Sequence, residues 1–293
     1  MFKGGWDLFR GSRTATARGA GAERGGAKAR SRARVVCVAS GKGGTGKSIV
    51  TSNLAVLRAQ AGERVLLVDF DAGMANAHLL LGVQPRFDLG HVLEGEVSAA
   101  YAAVPGPAGM HLIAGGVGRA ALLNPTPREL ERLFAALAPL EEQFDLILVD
   151  HGAGLSYATL AHMAAATNVL LVTTHEVTAL SDAYALYKQA TLVNPSIHAG
   201  MVFNRAPDEA TALAAWARFQ GAATKFLSRT PELVGWVPQD DAIGRSVQAR
   251  TPIVLGEPRS AAAAAIARVA AWPGIDAVRA HGSFYEAARR ALR

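Results

Sequence analysis

The sequence predicts an α/β fold, a mostly parallel twisted sheet with helices on both faces. Two observations predict it. Short apolar runs alternate with helical stretches, and several runs are apolar at nearly every position, as strands covered on both faces are. The first run also opens onto a glycine-rich loop and then an amphipathic helix, the order in which such sheets build a site at strand carboxyl ends.

In chain order the runs are 35–39 (VVCVA), 65–70 (VLLVDF), 111–115 (HLIAG), 146–150 (LILVD), 168–174 (NVLLVTT), 198–204 (HAGMVFN) and 233–238 (LVGWVP). Helical patterns cover 48–61, 127–142, 177–193, 207–227 and 259–272. The chemistry is therefore expected just after 35–39, 65–70 and 146–150.

Composition bounds the rest. The chain has 293 residues, of which 50% are apolar and 18% charged, enough to bury a full core. No apolar run reaches the ~18 residues of a membrane span, and the first residues lack the apolar segment of a secretory signal. The single cysteine, Cys37, excludes an internal disulfide framework and a four-cysteine metal site. The expected compartment is the cytoplasm.

The net charge of +6 is uneven: residues 1–34 carry +7 and the remaining 259 residues −1. Residues 1–33 read as a disordered basic tail, 34–272 as the folded domain and 273–293 as a C-terminal segment. The tail is either a solvated extension or an arm for acidic partners such as nucleic acid or anionic lipid; an organellar transit peptide has a similar composition.

After 35–39 the chain reads Gly41-Lys42-Gly43-Gly44-Thr45-Gly46-Lys47-Ser48, the G-x-x-x-x-G-K-[ST] phosphate loop. Its glycines let backbone N–H groups converge on phosphate, and the helix that follows adds its positive end. Lys47 places a charge on the outer phosphates, and the Ser48 hydroxyl is a ligand for Mg²⁺. These residues imply ATP and Mg²⁺. Lys42 duplicates the charge of Lys47 without an evident task in its own subunit. The economical reading is that it reaches the nucleotide of a second subunit, as an arginine finger does, so that ATP joins a homodimer.

Asp69 and Asp71 close the 65–70 run on one side of the strand. Asp71 is expected to position the attacking water, and Asp69 to support the metal shell. Asp150 ends the 146–150 run and is expected to hold a metal-bound water. Gly152 and Gly154 let the backbone pass near the outermost phosphate. Asn204 and Arg205 follow the 198–204 run and suit a base pocket, an amide reading the base edge and a guanidinium stacking on it; Pro238 ends the last run beside them. At the C-terminus, Phe284, Ala288 and Leu292 recur at helical spacing among Arg289, Arg290 and Arg293. This is a basic amphipathic helix, either an interfacial membrane anchor or a terminal helix packed on the body.

Lys42 with Lys47, DFDAGMANAHLLLG (69–82) and VDHGAGLS (149–156) together resemble the MinD/ParA class of ATPases. Within that class, residues 152–156, 173–187 and 235–247 resemble the flagellar-number regulators of the FlhG (FleN, YlxH) family. The resemblance spans about Arg34 to Trp272. It implies an ATP-driven sandwich dimer, docking on the inner face of the plasma membrane at the cell pole through a C-terminal amphipathic helix, and hydrolysis that returns the monomer and limits flagellar number. Family partners are an FlhF-like GTPase, switch-complex proteins or a transcriptional activator of flagellar genes. The chain departs from the pattern in three places: it lacks the N-terminal Asp-Gln-Ala motif directed at FlhF, and it carries His151 for the usual Thr and His175 for the usual Pro. Neither histidine takes the place of a phosphate or metal ligand. A ParA-type partition ATPase gripping DNA, or a MinD-type division-site selector, is the competing reading.

Overall fold

The computed structural model describes residues 32–73, 75–116, 120–277 and 282–293. The basic tail expected over 1–33 lies almost wholly outside them. Eight strands form one sheet: β1 Arg34–Ala39, β2 Val65–Phe70, β3 Val104–Pro105, β4 His111–Ile113, β5 Leu146–His151, β6 Asn168–Thr173, β7 His198–Ala206 and β8 Glu232–Pro238. Their order is β3-β4-β2-β5-β1-β6-β7-β8, parallel throughout except for the short β3–β4 pair. The longer helices are α1 Lys47–Gln60, α2 Pro127–Leu137, α3 Tyr157–Ala165, α4 Val177–Val193, α5 Glu209–Leu227, α6 Asp241–Gln248, α7 Ala261–Ala270 and α8 Phe284–Ala291.

The two-residue period of a strand divides the core into two layers. Val36 and Val38 of β1, Val65 and Leu67 of β2, and Leu146 and Leu148 of β5 pack with α1 and α7 on one face. Cys37, Leu66, Val68, Ile147 and Val149 pack with α2, α3, α4, α5 and α8 on the other. The same alternation governs the strand ends. Asp69 and Asp150 are register partners across β2 and β5, as are Phe70 and His151 one residue later. The two carboxylates thus fall on the α1 face and the two rings on the α3 face.

β1 lies between β5 and β6; the chain runs from β1 to β2 on one side, and from β5 it later crosses to β6 on the other. That reversal places the loop after β1 at the switch point, where an open sheet leaves a crevice.

Two elements differ from expectation. The helix read over 127–142 stops at Leu137 and continues as a 3₁₀ turn over Ala138–Glu142, because Pro139 has no amide proton to extend the ladder. The C-terminal helix is not presented as an anchor. Phe284, Tyr285 and Ala288 are buried against α2 and α3, and Leu292 packs at their edge. Its N-terminus is held by the buried Glu141, whose carboxylate accepts from Ser283 Oγ (2.6 Å), Phe284 N (3.0 Å) and Tyr285 N (2.9 Å). Of the two readings of this helix, the packed one holds here: its apolar side is occupied by the protein's own core, and the folded body continues through Ala291.

Candidate nucleotide site

The 40–46 loop is shaped by what surrounds it. A side chain at Gly41 would sit 2.2 Å from the backbone of Asp182, so only glycine lets α4 lie this close. Gly46 has φ +80°, and a Cβ there would meet the Asn204 amide at 2.1 Å. Gly46 is also the residue before α1, and no side chain caps that helix. The first N–H groups of α1 are thus left for an anion, as at other phosphate-binding helix starts.

Lys47 and Asp150 form the charged centre. Lys47 Nζ donates to Asp150 Oδ1 at 2.7 Å and to Ser48 Oγ at 3.2 Å, with the two charged side chains almost completely buried. Asp150 Oδ2 has no partner among the described residues and is buried. A buried charged oxygen is costly without a hydrogen bond, and a metal-bound water would supply one. Among the described residues no group of three His, Cys, Asp or Glu could cage a metal. A cation here would therefore be shared between Ser48, the Asp150 side and phosphate oxygens, which is how Mg²⁺ is held with nucleotides. The residues present fit Mg-nucleotide.

Asp69 stands beside Asp150, and burial together with that neighbouring charge pushes its carboxyl up to about 7. Asp69 Oδ1 accepts from Asp71 N (3.0 Å) and Oδ2 from Ala77 N (3.2 Å), so this side chain pins the loop that carries Asp71. Asp71 itself accepts from Gly73 N at 3.2 Å and stands over Gly152, whose Cβ position lies 3.6 Å from its Oδ1. Gly154 N donates to Ser40 O at 3.0 Å, tying the loop after β5 to the phosphate loop.

A cavity of about 1360 Å³ opens over these groups, lined by Ser40, Gly43–Ile49, Asp69–Gly73 and Gly152 and walled by apolar residues including Leu79, Leu123, Leu155 and Tyr157. Lys42 is outside this lining. Its ammonium lies 2.9 Å from Thr178 Oγ1 and 3.5 Å from a Glu176 oxygen, on the exposed rim. The base-pocket trio is also outside the lining. Asn204, buried, donates to Thr45 O at 2.7 Å, and Arg205 to Gly44 O at 3.3 Å. Both brace the phosphate loop; the amide expected to read a base edge is committed to the backbone, with only Oδ1 unpartnered. Pro238 pairs with Ala206 at the end of β8.

An "AAA domain" family model matches residues 33–201, from β1 through the centre of the sheet. The chain is 31% identical over 256 residues to the antiactivator FleN of Pseudomonas aeruginosa, covering 86% of this chain and 91% of that one. The chain belongs to the MinD/ParA family of AAA-domain ATPases. Flagellum site-determining protein YlxH of Helicobacter pylori is 34% identical over 53% of each chain. Among solved structures, the septum site-determining protein MinD of Pyrococcus horikoshii complexed with Mg-ADP superposes with a TM-score of 0.68 at 28% identity, covering 81% of this chain and 94% of that one.

Sequence reasoning missed two groups of this ATPase. Thr51, one helical turn after Lys47, has its hydroxyl 3.0 Å from Asp150 Oδ1. That spacing was the available signal. His162 of α3 sits under the site, between Phe70, Phe134, His151, Phe284 and Tyr285, with ring centroids 4.5–5.8 Å apart. Burial pushes His151 down to about 3 and His162 well below its ordinary value, so both are neutral. Nothing in the spacing of 151 and 162 announces that they meet.

Proposed function

We propose that this ATPase is an ATP-switched dimer that regulates flagellar number and placement, restraining a transcriptional activator of flagellar genes. The observation that carries the reading is the match along nearly the whole length of FleN, an antiactivator. The site supports the switch half of it. Lys47 leaves Asp150 to meet the outer phosphates, and the uncapped start of α1 receives their charge. Mg²⁺, when bound, neutralises the phosphate oxygens and presents ordered water. Ser48 and Asp150 hold that metal and its water shell. Asp71, fixed by Asp69 and Gly152, orients the attacking water. Lys42 turns from Glu176 and Thr178 to the nucleotide of the second copy.

Further partners proposed on the resemblance are an FlhF-like GTPase and switch-complex proteins. A lipid surface at the inner face of the plasma membrane requires α8 to leave its groove first, since its apolar side is otherwise covered. No helix among the described residues is long and apolar enough to cross a membrane. The test is a count of flagella per cell by electron microscopy in a strain lacking the gene. More flagella, or misplaced ones, are expected. An unchanged count with nucleoid loss would move the protein to DNA partition, and with minicells to division-site selection.

A further inference from the structure

Asp150 must keep its orientation while Lys47 changes partner. In the structure Lys47 Nζ lies 2.7 Å from Asp150 Oδ1. The same ammonium is the one that the phosphate loop supplies to nucleotide. Once it turns to phosphate oxygens, the carboxylate loses its strongest neighbour. What remains on Oδ1 then decides how the carboxylate plane is held.

One group remains. Thr51 is completely buried, and its Oγ1 is 3.0 Å from Asp150 Oδ1 and 2.9 Å from Lys47 O. The hydroxyl has a single proton and two acceptors. The carboxylate is the stronger acceptor, because a hydrogen bond to an ionised group is roughly twice as strong as one between neutral groups. The Lys47 carbonyl also faces the backbone N–H of its own helix one turn on, the usual helical acceptor arrangement. Thr51 is β-branched, so few rotamers are open to it on α1, and the one adopted sets the hydroxyl between both acceptors. On Asp150 the other oxygen, Oδ2, is buried with no partner among the described residues.

We propose that Thr51 is a positioning residue for the metal-bound nucleotide, holding Asp150 Oδ1 after Lys47 departs so that Oδ2 stays directed at the metal's water shell. The inference rests on the ATPase reading and deepens it. Lys47 and Thr51 lie one turn apart on the same face of α1. One helix therefore supplies both the charge that leaves and the hydroxyl that stays. Thr51 acts through Asp150 and touches neither phosphate nor the attacking water.

Equilibrium binding of a fluorescent ADP analogue to the full chain, titrated with Mg²⁺ and repeated in chelator, separates this role from simple packing. Thr51→Val keeps the shape and removes the hydroxyl; Thr51→Ser keeps the hydroxyl. The expected result for Thr51→Val is unchanged affinity for metal-free ADP and a Mg²⁺ requirement raised about tenfold, the size of one lost hydrogen bond to a charged group. Thr51→Ser restores the parent's Mg²⁺ dependence. An unchanged Mg²⁺ requirement in Thr51→Val overturns the assignment. So does a loss of ADP affinity that is equal with and without Mg²⁺, or a Thr51→Ser protein that behaves like Thr51→Val, since either outcome assigns the residue to packing of α1. A parent chain that binds no ADP analogue under either condition overturns the ATPase reading itself, and with it the role of Thr51.

Discussion

The carboxyl ends of β2 and β5 serve two unlike regions. On the α1 face they deliver Asp69 and Asp150 beside Lys47; on the α3 face they deliver Phe70 and His151 to a cluster of rings closed by α8. The first region is left incomplete by the chain: α1 has no side-chain cap and Asp150 Oδ2 no partner among the described residues. The second is closed by the chain's own last helix, held through Glu141. One face waits for a ligand and the other is internally occupied. The difference comes from a single residue of strand phase, since a one-residue slip would exchange the faces.

The largest effect should come from breaking the open face. Lys47→Ala removes both the phosphate charge and the partner of a buried carboxylate. Nucleotide binding is expected to fall at least about a hundredfold by calorimetry, the scale of losing a buried charge contact. The folded chain should keep α8 docked, as judged by its resistance to limited proteolysis.

Breaking the closed face should do the reverse. Glu141→Ala leaves three buried donors without their acceptor. Unfolding in urea should show a stability loss of about 3 kcal/mol, given that each unsatisfied buried group costs about 1–3 kcal/mol. Nucleotide affinity should hold within about threefold, because neither Glu141 nor its partners Ser283, Phe284 and Tyr285 line the nucleotide cavity. Equal damage to both properties would mean that the faces are coupled.

A smaller effect is expected from pH. His162 is neutral when folded, with its pKa depressed well below the ordinary value of 6.5, while the unfolded chain protonates it near that value. Between those two pKa values the unfolded state binds more protons. Stability is therefore full above about pH 6.5 and falls as the pH drops below it. His151, depressed to about 3 by the same burial, adds to the slope in the same direction. His162→Phe should fit the aromatic cluster at pH 8 within about 1 kcal/mol and lose less stability on acidification, by up to about 1.4 kcal/mol per pH unit. Parallel melting curves for parent and variant from pH 8 to pH 5 would contradict a neutral buried His162.

The open region was largely legible in the sequence and the closed one was not. A phosphate loop is local chemistry: glycines, lysine and serine at fixed spacing after an apolar run. The strands were legible because both faces of a covered sheet are apolar. α3 was missed because YATLAHMAA is small or apolar nearly all round, so no amphipathic stripe marks it. The two-residue β3 is too short to carry a pattern. Asn204 was read as a base contact because a strand-end amide suits one; its hydrogen bond to Thr45 O, 159 residues away, is invisible to spacing. For α8, the amphipathic pattern was correct, but it left two occupants open, lipid or the body. An apolar stripe states that a face must be covered, and the groove between α2 and α3 covers it.

In the proposed switch, ATP joins two copies and hydrolysis parts them. The most direct test is the mass in solution of the Asp71→Ala chain, by sedimentation equilibrium, in saturating Mg-ATP and then in Mg-ADP. A dimer with ATP and a monomer with ADP is the predicted result. A monomer in both, with ATP shown to be bound, would contradict it.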